Sequence, residues 1–306
     1  MELKKTDAVI VATLAVLLFY LYGWLGNAEE VEFRGHSAIL WMVQRWGGAG
    51  GSLSHGWTIP VVSAFIVWWK RKELVAASGT TNWAGLAIII LSLLLHLAGV
   101  RVQQTRISLL SLIGLLWGIP LYLYGWRVAK ILIFPCAYLI FAIPMSFLDE
   151  ITVPLRIIAS TLSSHLINGL GIPVVRQGTM IMPLVQGGLA LGVEEPCSGL
   201  RSLLAISAIS AVYAWFTQKT LLKQWALFLM ALPLAVAGNI ARITAVAVVA
   251  RIFGHDRGIG FYEHYSGYIV FVVAILLMMG IGRLLETGFR EQLAKWTPSK
   301  KETASQ

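Results

Sequence analysis

Long apolar runs separated by short polar segments dominate the chain, and the run lengths set the first expectation. A helix of close to twenty apolar residues crosses a hydrocarbon core of ~30 Å. The pattern predicts eight such spans, at about 8–26, 54–69, 83–99, 107–125, 128–147, 198–216, 225–250 and 266–285. The expected fold is therefore an all-α polytopic membrane protein, with a membrane domain over residues 1–285 and a basic cytoplasmic tail over 286–306. The first run, Val9 to Leu25, ends in Tyr20, Tyr22, Trp24 and Gly26-Asn27 instead of a small-residue cleavage site, so it reads as a retained span.

Two connecting segments are too long to be turns. Ser37 to Trp46 is apolar apart from Gln44 and Arg45 and fits a helix lying flat at the interface. Further on, Leu155, Ile158, Leu162 and Leu166 recur at helical spacing against Arg156, Ser160, Ser163 and Ser164, a second interfacial pattern. After it, Pro173 to Ile181 and Leu189 to Val193 combine β-branched residues with glycines, which predicts a small hairpin-like element.

Charge orients the spans. With the N-terminus inside, Lys4, Lys5, Lys70, Lys72, Lys130, Lys219, Lys223, Lys295, Lys300 and Lys301, every lysine of the chain, fall on the inner side. That bias places both termini in the cytoplasm. It also accounts for the net charge of +9 in a chain that is 57% hydrophobic and 13% charged, and no nucleic-acid motif competes with it.

Cys197 is the candidate nucleophile. It sits in Glu195-Pro196-Cys197-Ser198-Gly199-Leu200-Arg201, a polar break just before a predicted helix start. A helix N-terminus and a nearby cation favour the thiolate, which is the reactive form. The plain alternative is a small buried hydrophobe, the reading preferred for Cys136 inside Phe134-Pro135-Cys136-Ala137-Tyr138. Arg242, in Gly238-Asn239-Ile240-Ala241-Arg242-Ile243, is an intramembrane cation, costly enough to need a partner or a task. Counting along the seventh span places it toward the outer side or nearer the middle, and Asn239 is expected on its helix face. Snorkelling to outer headgroups is its structural alternative.

His264, in Tyr262-Glu263-His264-Tyr265-Ser266, reads alone as an ordinary loop histidine before the eighth span. Together with Cys197 it forms a minimal acyl-transfer pair, to which Arg242 would add oxyanion stabilisation. Arg201, Glu195, Glu263 and His55 are candidate supporting residues. His55, in Ser54-His55-Gly56-Trp57, either binds substrate or shapes the mouth of the second span. Neither an H-E-x-x-H motif nor close Cys/His spacing calls for a metal, and no cofactor is expected.

Pro196-Cys197-Ser198-Gly199-Leu200-Arg201, then Asn239-Ile240-Ala241-Arg242-Ile243, then His264 resemble the exosortase/archaeosortase family. Ser54-His55-Gly56-Trp57 with Pro60, and Gly171-Ile172-Pro173, look like further family landmarks. The resemblance implies an enzyme that processes proteins bearing a PEP-CTERM-like C-terminal sorting signal and a transmembrane helix. In it Cys197 would be the nucleophile, Arg242 the substrate- or transition-state-binding cation and His264 the proton-transfer residue. A histidine in third place is more similar to bacterial members, which implies an active site on the periplasmic face of the inner membrane, among membrane lipids. Two other classes make different predictions. A membrane carrier or lipid-handling scaffold would need Arg242 but not the thiol, and an intramembrane metalloenzyme would use the outer histidines.

Overall fold

The computed structural model describes residues 5–25, 37–47, 54–144, 148–184, 190–192 and 199–287. These fall into two compact units, Met1–Ser146 and Phe147–Gln306. Both are mainly helical, as the apolar runs predict. Among the described residues four helical runs are long and apolar enough to cross a membrane: Trp83–Arg101, Thr105–Tyr124, Leu221–Phe253 and Ser266–Glu286. Ala12–Trp24 and Leu203–Thr217 are shorter apolar helices.

The first unit begins with α1 (Lys5–Phe19), which runs into a π-helical turn at Tyr20–Trp24. Tyr22 is fully buried there, with its hydroxyl 2.6 Å from Ser111 Oγ and its ring 4.5 Å from the buried His96. The expected flat segment forms α2 (Ala38–Gly47), about 15 Å of helix and too short to span. Its Trp46 is buried and donates from Nε1 to the Ala142 carbonyl at 2.8 Å. Then follow α3 (Thr58–Trp69), α4 (Arg71–Ala77), α5 (Trp83–Arg101), α6 (Thr105–Tyr124) and α7 (Trp126–Tyr138).

Small residues decide how α5 and α6 pack. A Cβ at Gly99 would lie 2.8 Å from the Ser108 nitrogen, and one at Gly85 2.3 Å from the Tyr122 nitrogen, so the two backbones touch where only glycine fits. The fifth expected span, 128–147, is shorter than its apolar run. After Pro135 the helix tightens into a 3-10 turn at Leu139–Ala142, and the Ser63 hydroxyl donates to the Pro135 carbonyl at 2.8 Å. Cys136 is buried beside Val128 and Leu132, a packing residue as expected.

In the second unit α8 (Leu148–Gly169) leads into strands β1 (Val174–Gln177), β2 (Met180–Pro183) and β3 (Leu191–Gly192). The expected hairpin is thus a three-stranded antiparallel sheet in the order β1-β2-β3. Gly178 takes φ +63° at the first position of its two-residue turn, the side on which a tight hairpin needs glycine. Asn168 fastens β1 to α8: its Oδ1 accepts from Val174 N at 2.9 Å and its Nδ2 donates to Val174 O at 3.1 Å.

The two faces of α8 differ, as its amphipathic pattern predicts. Ser160 and Ser163 are fully buried, whereas Ile158, Leu162 and Leu166 are about half exposed. Small polar residues let helices approach closely, and the larger aliphatics are left for lipid.

The remaining helices are α9 (Gly199–Thr217), α10 (Leu221–Leu229), α11 (Ala231–Phe253), α12 (His255–His264) and α13 (Ser266–Thr287). The expected seventh span lies within one helical run, Leu221–Phe253; α10 and α11 meet at Met230, whose backbone keeps helical angles, and Pro233 follows in the first turn of α11, where a missing N–H costs little. Leu203, Ile206, Leu227, Leu234, Val270 and Met278 make the core between α9, α10, α11 and α13. A second core joins Ile167, Val174 and Ile181 to Ile243, Val246 and Ala247, with Phe261 and Tyr262 against it. The sheet is thereby seated on the stretch of α11 that carries Arg242.

Candidate functional site

Arg242 is the middle residue of the 23-residue α11, eleven residues from either end of that helix. Its surroundings follow from one glycine. A Cβ at Gly238 would lie 2.8 Å from the Val270 carbonyl oxygen and 3.0 Å from Val270 Cγ1, so α13 presses directly on α11 at that level. One turn further along α11 comes Arg242, and one turn back along α13 comes Ser266. The two side chains meet: Arg242 Nε donates to Ser266 Oγ at 2.9 Å.

Ser266 is fully buried, and its hydroxyl in turn donates to the Tyr262 carbonyl at 2.6 Å. The Tyr262 ring lies below the guanidinium, 5.1 Å from Arg242 Cζ, a cation–π arrangement that a partly desolvated cation favours. Arginine has five donor hydrogens. Among the described residues only its Nε is bonded, so the two terminal nitrogens remain as a fork with open donors.

His264 is the last residue of α12, not a loop residue as its sequence suggests. It is exposed, and Nδ1 lies 3.0 Å from the Gly260 carbonyl one turn back. Tyr262 and Ser266, which hold Arg242, lie two residues before and two after it. A step of two residues turns a helix by about 200°, so His264 faces away from the Tyr262 side. The structure brings Arg242 to the segment carrying His264, whose exposed imidazole lies beside the Tyr265 ring.

Asn239 and Arg242, three residues apart on α11, meet different neighbours. It is 5% exposed and lines a pocket with Arg156 and Ala159 of α8, Leu203 of α9, and Ala235 and Val236 of its own helix. His55 belongs to the first unit, in the 3-10 turn Ser54–Trp57, where its carbonyl accepts the Thr58 hydroxyl at 2.6 Å. Cys197 and Glu195 lie outside the described residues, between β3 and α9. Arg201 and Glu263 are described only by their helical backbones, in α9 and α12. Among the described residues no three His, Cys, Asp or Glu side chains cluster as metal ligands would.

Tyr262, Ser266 and Arg156 are the residues that sequence reading passed over. Two small residues carried the signal for the first pair: Gly238 four before Arg242, and Ser266 four before Val270. Arg156 had been read only as the polar side of an amphipathic helix.

The family model for transmembrane exosortases matches residues 46–280, which includes both constellations on α11 and the Cys197 segment. No curated protein and no solved structure matches the chain.

Proposed function

The chain belongs to the transmembrane exosortase family, whose membership supports a membrane transpeptidase of protein sorting, and on that premise we propose that it is a cysteine transpeptidase cleaving C-terminal sorting signals of the PEP-CTERM type. The observation that carries the reading is the guanidinium of Arg242, anchored at Nε by Ser266 on the segment that also bears His264. An arginine fixed at one nitrogen with its terminal donors open is suited to an oxygen that gains negative charge.

The substrate's single transmembrane helix lies among lipids beside the enzyme, and its motif sits at the non-cytoplasmic interface. Cys197 is deprotonated, its proton passing to His264. The thiolate sulfur attacks the scissile carbonyl carbon, and the carbonyl oxygen becomes an oxyanion facing Arg242. As the tetrahedral intermediate collapses, the C–N bond breaks and the leaving nitrogen takes the proton from the imidazolium. The tail departs with a free amine, and the remaining acyl group is held on sulfur as a thioester. An amine acceptor then attacks the thioester carbon, loses its proton to His264, and releases the thiolate.

The test is a reporter with a PEP-CTERM-type tail co-expressed with the enzyme. Cys197→Ala is expected to abolish tail removal, and hydroxylamine is expected to trap acyl hydroxamate with the wild type alone. Tail removal by Cys197→Ala at the wild-type rate would exclude the thiol from the reaction.

A further inference from the structure

Tryptophans mark one end of the first unit. Trp68 and Trp69 close α3, Trp83 opens α5 and Trp126 opens α7, and all four are about half exposed or more. Indole rings gather at the level of lipid headgroups, which sets this end of the helices at a membrane surface. The same end carries Lys70, Arg71, Lys72, Arg127 and Lys130 against one carboxylate, Glu73. That carboxylate is already engaged, with Lys70 Nζ 2.7 Å and 2.9 Å from its two oxygens. Arg71 folds back: Nη1 donates to the Trp68 carbonyl at 2.9 Å and Cζ lies 4.3 Å from the Trp68 ring. Lys72, Arg127 and Lys130 are exposed and, among the described residues, make no hydrogen bond or ion pair.

The fold fixes the two helices that bear these three cations. Leu74 and Ala77 of α4 pack against the cluster of Val128, Leu132 and Cys136 on α7. The link from α4 to α5 is tied to the end of α6, where Gly79 N donates to Tyr124 O at 3.0 Å and Asn82 N to Tyr122 O at 3.1 Å. Gly125, at φ +81°, then turns the chain into α7 with no room for a side chain, since a Cβ there would lie 2.7 Å from the Thr80 carbonyl oxygen. Arg127 and Lys130, three residues apart, are neighbours on one surface of α7. Ser63 of α3 meets Pro135 of α7, and Val67 packs nearer the start of α7, so the two helices run antiparallel. Exposed Phe65 and Ile133 therefore lie at one depth, about one turn deeper than Lys130. We infer that Arg127, Lys130 and Lys72 form a binding site for an anionic phospholipid, with its phosphate on the cations and its acyl chains against the apolar side chains deeper in. The headgroup must carry net negative charge. A choline or ethanolamine group brings its own cation, and Glu73 is bound to Lys70 instead of open to receive it. Such a site needs neither the thiol nor Arg242.

Delipidated full-length enzyme in a neutral detergent is titrated with dioleoylphosphatidylglycerol or dioleoylphosphatidylcholine, and bound lipid is counted by native mass spectrometry. The wild type is expected to bind the anionic lipid about tenfold or more tightly than the zwitterionic one. Arg127→Gln/Lys130→Gln should lower that affinity by about 10- to 30-fold and Lys72→Gln by about fivefold, each cation near an anionic headgroup contributing comparably. The control, Arg101→Gln/Arg251→Gln, removes two exposed arginines at other helix ends and changes net charge equally. Its expected loss is about twofold at most, because salt screens distant exposed charges. An equal loss in the control would overturn the site by reducing the effect to net charge. Equal affinity of the wild type for the two lipids would overturn it as well, and that comparison needs no variant to fold. Inorganic phosphate and a soluble acidic peptide are added as competitors at the concentration of the lipid. Neither is expected to displace it; displacement by phosphate would mean a free-anion site, displacement by the peptide a docking surface for protein, and either would overturn the lipid assignment.

Discussion

Arg106 on α6 and Arg242 on α11 are both bonded through Nε and both lie over an aromatic ring, yet their partners differ in kind. Arg106 donates to the Pro144 carbonyl at 2.8 Å and lies 5.6 Å from the ring of the buried Trp41. A further nitrogen reaches Gln104 Oε1 at 3.5 Å, and the residue has other contacts as well. It ties down a backbone carbonyl where the chain leaves its 3-10 turn, which is structural work. Arg242 is held by a side-chain hydroxyl, and its terminal nitrogens are left unbonded among the described residues. The same cation is a clamp in one unit and a presented fork in the other. What separates them is how many of the five donors the fold itself consumes.

The largest expected effect tests that difference directly. Arg242→Ala should lower kcat by about 10²- to 10³-fold, the range seen when one oxyanion donor is removed, with membrane-inserted protein at wild-type level. Arg106→Ala should do the reverse, leaving turnover per folded molecule near normal while lowering stability by about 1–3 kcal/mol as a buried carbonyl loses a charged donor. Quantified turnover against folded protein in detergent checks both. If the two variants lose activity in proportion to folded enzyme, the distinction between clamp and fork fails. A carrier or lipid-handling scaffold would show another pattern, with Cys197→Ser functional and Arg242→Ala inactive.

Glycine contacts separate the two units in the same way. Gly118 on α6 meets the Ile88 Cγ2 methyl, with a Cβ–methyl distance of 2.8 Å, whereas the neighbour of Gly238 is the Val270 backbone oxygen at 2.8 Å. Either substitution by alanine should cost about 1–3 kcal/mol of stability through overpacking. Only Gly238→Ala should also lower kcat of the folded fraction, by about tenfold, because it shifts the level at which Arg242 meets Ser266. Equal kcat in both variants would detach that register from function.

Ser266→Ala removes the anchor without touching the cation. It should cost about tenfold in kcat/KM, the low end of the roughly 1.5–3 kcal/mol that a hydrogen bond to a charged group is worth. Ser266→Thr, which keeps the hydroxyl, should recover most of the loss. A pure packing role would make threonine the worse of the two, since the site is fully buried.

The sequence made the helical membrane architecture legible because length and apolarity suffice to find spans, as at Trp83–Arg101 and Ser266–Glu286. It also located the hairpin, because Gly178 and the β-branched residues around it leave few alternatives. What escaped it is how neighbours divide a helix surface: Asn239 and Arg242, three residues apart on α11, share a face, but α8 and α9 take Asn239 and α12 and α13 take Arg242. Period counting yields a face, and only the packing of neighbours divides it. Arg242 itself was legible for a simple reason: a cation inside an apolar run is costly wherever it ends up.

The smallest expected effect compares two helix ends of the same geometry. In α5, Gln104 N bonds Gly99 O at 2.8 Å and Gln103 N bonds Val100 O, with Gln103 at φ +58°. In α8, Ile172 N bonds Ile167 O at 3.2 Å and Gly171 N bonds Asn168 O, with Gly171 at φ +80°. Both ends close their last carbonyls through a left-handed residue, but only α8 uses the residue that adopts it without strain. Gln103→Gly should therefore stabilise the protein by about 0.5–1 kcal/mol, the relief of the left-handed penalty less the extra entropy of an unfolded glycine. Its exposed Nε2 bond to the Val100 carbonyl, at 3.1 Å, is too weak to reverse that sign. Gly171→Gln should destabilise by a similar amount, with thermal unfolding in detergent reading both. A stabilising Gly171→Gln would mean that the start of the sheet, and not the helix end, sets the backbone at that position.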